Sequence, residues 1–382
     1  MTRAEGIKTG AAAFGRKLAG LPVLRAYYEA ATRPGKGGDA MLAAVAALLA
    51  FAALAGHIGG MFDYDGWFLL STGREILENG ILRENPFSQE PGLGIVVQQW
   101  AHDVYLAAGY RLGGFTGSEI AMALPVGLAA AGAWLLSGAL SERPARPVLR
   151  ALSASAALWM CSTYFSVRPT SWSMALFAAS VLACAKGREN PKAYAALPPI
   201  AAAWANLQAA LWPLVLFAGA CFLLPRSREE VDAGPRAWLE GRKWLLAAMA
   251  AACAASLLNP YGLKGSLYSL VSMGAASYGG AILEMKSPFL TLVPAEVVAV
   301  SLGMLLPFLL CRSKRRKLPV EAAAMLLVSL AAFLLCVRNI WILGLSFAFA
   351  MSAAIAPAKP DEAGAASSQN PGDGVGQDAA LA

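Results

Sequence analysis

Apolar residues in this chain come in blocks, many near the length at which a helix crosses a bilayer, and more polar connections separate the blocks. A helix rises about 1.5 Å per residue and the hydrocarbon core is about 30 Å thick, so roughly twenty residues make a span. The blocks fall at 41–60, 118–138, 150–166, 171–185, 194–207, 209–224, 244–258, 294–311, 319–336 and 340–357. The chain is 57% hydrophobic and only 14% charged, against about 25% charged in soluble domains. The expected fold class is therefore an all-α integral membrane protein of about ten transmembrane helices. Several blocks are shorter than a full span. Pro198, Pro199, Asn206 and Pro213 interrupt 194–224, which reads as two spans joined by a tight turn, or as a re-entrant hairpin.

Lysine and arginine orient the spans. Of the 31 in the chain, 24 fall in the N-terminal segment, the C-terminal tail and alternate connections; the remaining seven are Arg74, Arg83, Arg111, Arg168, Lys264, Lys286 and Arg338. Cationic connections stay in the cytoplasm, so a multi-pass inner-membrane protein with both termini cytoplasmic is expected. Residues 1–40 then form a basic cytoplasmic segment, too long for a cleavable signal peptide, and part of it, 11–31, suits the inner membrane surface. Residues 41–357 form the membrane domain, with 61–117 as the first outward loop, and 358–382 form a disordered cytoplasmic tail. The net charge of +7 reads as a topology signal, with membrane lipids rather than nucleic acid as the partner. The six cysteines fall one to a span and read as small buried hydrophobes. With only His57 and His102, a multi-histidine metal site is excluded.

The outward loop carries most of the distinctive residues. Asp63 and Asp65 lie directly at a membrane exit. Trp67–Asn79 is amphipathic and stops at Gly80, predicting a surface helix. Asn85-Pro86-Phe87-Ser88 predicts a turn, and 98–112 a second helix with Trp100, Val104, Ala107 and Ala108 on one face. Asp63, Asp65, Arg74, His102, Asp103, Arg168, Asn206, Gln208, Asn259, Glu284, Lys286, Arg338 and Asn339 all fall at outward ends or in outward connections. Polar groups beside a membrane are costly unless they meet water or one another. A shared outward cavity is expected; the alternative is that each caps a helix or meets interfacial water.

Asp65-Gly66-Trp67, Gly73-Arg74-Glu75-Ile76-Leu77, Gly80, Asn85-Pro86-Phe87-Ser88 and Gln99-Trp100 together resemble a bacterial family of multispanning membrane proteins. That family is related to the C-type (GT-C) glycosyltransferases. Arg168-Pro169, Trp204-Ala205-Asn206-Leu207, Asn259-Pro260-Tyr261-Gly262, Glu284 with Ser287-Pro288, and Arg338-Asn339 follow in the same order. The resemblance covers roughly 40–357. This chain departs from the family pattern at Gln208, where histidine is usual, at Asn85, where aspartate is frequent, and at Phe68-Leu69 after the tryptophan.

The resemblance implies a GT-C-like fold with a structured first outward loop. It implies transfer of a sugar from a polyprenyl-phosphate donor to a lipid, glycan or protein at the outer face of the inner membrane. On that reading Asp65 is the catalytic base and Asp63 a helping carboxylate, or the two hold a divalent cation, Mg or Mn; Asp63 could equally cap the surface helix. Arg168 and Arg338 would bind the donor phosphate, with Arg74 and Lys286 as weaker candidates; both arginines could instead pair with Glu284 or snorkel. His102, Asn206, Gln208, Asn259 and Glu284 would line the cavity, His102 as a relay or a plain interfacial histidine, and Asn206, Gln208 and Asn259 by hydrogen-bonding across helix ends to shape it. Trp67, Trp100, Trp172, Trp204 and Trp341 read as interface anchors. Two rival readings stand beside this one: a lipid or solute transporter or flippase, and a non-catalytic membrane subunit of an envelope-assembly complex with a protein partner.

Overall fold

The computed structural model describes residues 62, 64–141, 145, 147–270 and 282–357. The first expected span, Asp63, the N-terminal segment and the C-terminal tail lie outside the described residues. Every regular element among the described residues is helical; one isolated antiparallel bridge joins Glu84 to Gly94.

The loop expected to face outward opens with α1, Tyr64–Asn79, which buries Leu69, Leu70, Thr72, Gly73 and Ile76 on one face. Gly80 ends it with φ +81°, its N–H closing on Ile76 O at 2.9 Å, the αL stop its sequence predicts. Residues 83–95 form a hairpin: Asn85 N–H donates to Leu93 O at 2.7 Å, and Asn85 Oδ1 accepts from Phe87 N–H at 3.0 Å. Asn85 thus makes the turn that Pro86 permits. α2, Trp100–Ala121, is broken at Gly113 and Gly114, which leave helical geometry. Ser118 Oγ donates to Leu106 O at 3.0 Å, whereas twelve residues of straight helix would separate them by about 18 Å. The chain therefore doubles back at the glycine pair, and α3, Ala123–Leu136, continues the returning limb.

Helices α4, Pro147–Ser162, α5, Thr170–Gly187, α6, Leu197–Leu207, α7, Leu214–Leu223, and α8, Gly234–Ala255, follow. After the undescribed 271–281 come α9, Pro294–Gly303, α10, Leu306–Ser313, α11, Val320–Leu335, and α12, Ile340–Ile355. Helices thus occupy the apolar blocks from 118 onward. Three stretches are long and apolar enough to cross a membrane by length and composition: Trp100–Leu136, Pro294–Ser313 and Val337–Ile355. Others are short; α6 has 11 residues and α7 has 10.

α12 is the centre of the bundle. Fourteen of its residues are buried, on every side, as an all-round apolar helix should be. It packs against α3, α4, α5, α10 and α11. At the periphery Trp159, Leu302, Leu309 and Leu335 project outward exposed, where lipid would cover them.

Ion pairs near the helix ends sort into two groups. Arg168 joins Asp65 and Glu284, and Arg338 joins Glu284. Arg188 and Arg226 join Glu321, and Arg242 joins Glu230. None links one group to the other among the described residues. The first set comes from connections expected to face outward; the second comes from connections expected to face inward and from Glu321, at the start of the 319–336 block.

Candidate functional site

α1 places Asp65 in its first turn, with the side chain 62% exposed. The 162–169 connection supplies Arg168, and the short turns Leu283–Met285 and Val337–Asn339 supply Glu284 and Arg338. Arg168 Nη2 lies 3.2 Å from Asp65 Oδ2, and its Nη1 donates to Glu284 Oε1 at 2.7 Å. Glu284 Oε2 is buried without a hydrogen bond, 3.9 Å from Arg338 Nε. Among the described residues that is the sole ion pair of Arg338, and its guanidinium makes no hydrogen bond. Two carboxylates and two guanidiniums, drawn from four segments, thus form one chain of charge beside a pocket of about 510 Å³. Tyr164, Ser166, Arg168, Glu284, Thr291 and Val337 are among its walls.

The two turns are held in place through their backbones. Val337 N–H donates to Lys286 O at 3.0 Å, Ser287 Oγ to Leu334 O at 2.8 Å, and Cys336 Sγ lies 3.3 Å from Glu284 O. Bonds to the chain rather than to mobile side chains keep Glu284 between the two arginines.

Asn206, Gln208 and Asn259, expected to hydrogen-bond across helix ends and shape the cavity, make bonds of that kind. Asn206 accepts from Trp100 Nε1 at 2.8 Å and donates to Leu258 O at 2.8 Å. Gln208 is buried and accepts from Ser173 Oγ at 2.6 Å, which in turn accepts from Trp204 Nε1 at 2.7 Å. Asn259 Oδ1 accepts from Tyr261 N–H at 2.9 Å, and its Nδ2 donates to Ser256 O and Gly262 O. Tyr261 then donates to Leu82 O at 2.9 Å, while Arg83 donates to Pro260 O at 2.7 Å. Burial pushes the Tyr261 phenol above its usual range. These bonds pin the outward loop to the 206–210 and 256–262 segments.

Other expectations change. His102 and Asp103 are wholly buried, not interfacial, because they share the buried face of α2 with Leu106 and Ala107. His102 Nε2 meets Val167 O at 2.8 Å, while neither oxygen of Asp103 finds a hydrogen-bond partner among the described residues. Arg74 is exposed over the Tyr110 ring at 5.9 Å, and Lys286 is half-buried; neither is ion-paired among the described residues. Trp204 and Trp341 are core residues rather than interface anchors. Cys253 is exposed and Cys336 half-buried, while the other four cysteines are buried. Tyr164, which the sequence reading passed over, lines the pocket; an aromatic at the end of an apolar block carries no signal separating it from core.

Of the two aspartates named for a divalent cation, only Asp65 is described. It already faces a guanidinium, and among the described residues no group of three or more His, Cys, Asp or Glu side chains could hold a metal. No family model matches the chain, and no curated protein matches it in sequence.

Proposed function

We propose that this chain is an inner-membrane glycosyltransferase of C-type architecture, with about ten transmembrane helices and both termini in the cytoplasm. It takes a sugar from a polyprenyl-phosphate carrier and transfers it to an acceptor at the outer face. The reading is supported by the chain of ion pairs that joins Asp65, Arg168, Glu284 and Arg338 from four segments, Arg168 and Glu284 of it lining the pocket. The motifs that resemble the C-type relatives supply the chemistry.

On this reading the acceptor hydroxyl or amine attacks the anomeric carbon, and the bond from that carbon to the phosphate oxygen breaks. The electron pair leaves on the phosphate, and the acceptor proton passes to Asp65. Charge grows on the departing phosphate, and Arg338, paired only at 3.9 Å, has a planar fork ready for it. A phosphate that also engages Arg168 competes with Asp65 for that guanidinium. Donor binding thereby releases the Asp65 carboxylate to act as base. No step is routed through a metal.

The non-catalytic subunit is the second reading. It is favoured by the charge balance of the cluster, since two carboxylates on two arginines also suffice as a lock between loops. Asp65→Asn separates the two. The transferase reading expects product formation to fall at least a hundredfold with normal expression and membrane insertion, as for loss of a general base. Wild-type product formation in that variant would overturn it.

A further inference from the structure

The opposite polar group builds a second pocket, and it is independent of the transferase reading. Arg168 precedes α5 and Arg188 follows it, so the two stand about 30 Å apart by helical rise, the thickness of a bilayer's hydrocarbon core. A pocket of about 340 Å³ opens beside Arg188; its walls include Tyr194, Arg226, Glu230, Arg242 and Trp244.

Its charges are unevenly spent. Glu321, wholly buried at the start of α11, accepts from Arg188 Nη1 at 3.0 Å and from Arg226 through Nη2 and Nε. Arg188 Nη2 donates to Phe222 O at 3.1 Å. Arg242 holds Glu230 at 2.6 Å through Nη2, and Leu223 O at 2.8 Å through Nε. Three guanidiniums face two carboxylates, leaving one positive charge in excess. Among the described residues Nη1 of Arg226 and Nη1 of Arg242 make no hydrogen bond, and the Arg226 side chain is 46% exposed. Fixed guanidinium forks with unspent N–H groups are receptors for a tetrahedral oxyanion.

The setting names the source of that anion. Trp244 both lines the pocket and is 61% exposed, and α8 buries only Leu245, Ala248 and Ala252. Beyond the pocket, Ala247, Ala250, Ala251, Cys253 and Ala254 of α8 are exposed and apolar, with the Trp244 indole at the level where aromatic belts sit. Basic pockets at the cytoplasmic ends of membrane helices take phospholipid head groups.

We propose that the Arg188–Arg226–Arg242 pocket binds a phosphate group, presented by an anionic phospholipid whose chains lie along α8. The test is native mass spectrometry of the full chain in detergent, titrated with phosphatidylglycerol, phosphatidylcholine or inorganic phosphate. Phosphatidylglycerol should be retained at least tenfold better than phosphatidylcholine, and Arg226→Gln should cut that preference about tenfold. Displacement of phosphatidylglycerol by millimolar inorganic phosphate would support the site with a free anion as its source. Equal retention of both lipids with no effect of phosphate overturns the proposal. Should Arg226→Gln fail to fold, photoactivatable phosphatidylglycerol on the wild-type chain decides. Crosslinks enriched in 188–194 and 226–245 support the site, and crosslinks without that enrichment refute it. Arg226 lies outside the Asp65 cluster, so failure here leaves the transferase reading standing, and loss of product in Asp65→Asn says nothing of this pocket.

Discussion

Gly73→Ala is the sharpest probe of how the outward loop seats its aspartate. A Cβ at Gly73 would stand 1.9 Å from the Asp103 carbonyl oxygen and 2.4 Å from its carbon. Close carbon–oxygen contacts need roughly 3.3 Å, so α1 and α2 must part by more than an ångström. The obstacle is backbone, which cannot rotate away, and that places the cost near the top of the overpacking range, about 3 kcal/mol. Alanine recovers about 1 kcal/mol of helix propensity over glycine, leaving a net loss of about 2 kcal/mol. Gly94→Ala is the control: its nearest atom would be 3.9 Å away, and the expected change is within about 0.5 kcal/mol. Thermal unfolding in detergent, followed by tryptophan fluorescence, reads the difference, and limited proteolysis of the 80–99 segment localises it. On the transferase proposal, product formation should also fall, because α1 carries Asp65. A Gly73→Ala protein that melts with wild type and resists protease equally would mean that α1 does not lie on α2.

Three further outcomes follow from the same geometry. Glu321→Ala strips a wholly buried carboxylate from two arginines; a loss of about 3–5 kcal/mol is expected in chemical denaturation, and a change under 1 kcal/mol would contradict the pairing. Gln208→Ala removes the acceptor of the Ser173 hydroxyl inside the core. It should cost about 1–3 kcal/mol, whereas an unchanged melting profile would place Gln208 outside the packed interior. The Arg242 hydrogen bond holds the Glu230 carboxyl below its usual 4.5. A depressed folded value contributes stability above the unfolded value and loses it as pH falls through the folded one, so protection of 224–243 from hydrogen exchange should weaken only below about pH 4.5. Arg242→Gln should abolish that acid step, and its persistence would assign the step to another group. The partners are partly exposed, so the effect is local and small.

Much of the helical framework was legible in one dimension. The 67–79 amphipathic run and Gly80 marked α1, the Asn85-Pro86 pair marked its turn, and the apolar blocks from 118 onward fall on helices. Chain-local rules decide these features: side chains repeat every 3.6 residues, and glycine tolerates positive φ.

Partnership was not legible. The sequence left Arg168 and Arg338 open between phosphate binding and pairing with Glu284; only the tertiary structure sets Glu284 between them and brings Asp65 to Arg168. It also supplied the partners to which Asn206, Gln208 and Asn259 bond across segments, and moved His102, Trp204 and Trp341 into the interior. In water, an apolar stripe points to the core. Beside lipid, inward and outward faces are equally apolar, so the sequence determined which segments are helices and which ends carry charge. Which face meets a neighbour, and which charge meets which, was decided by packing alone.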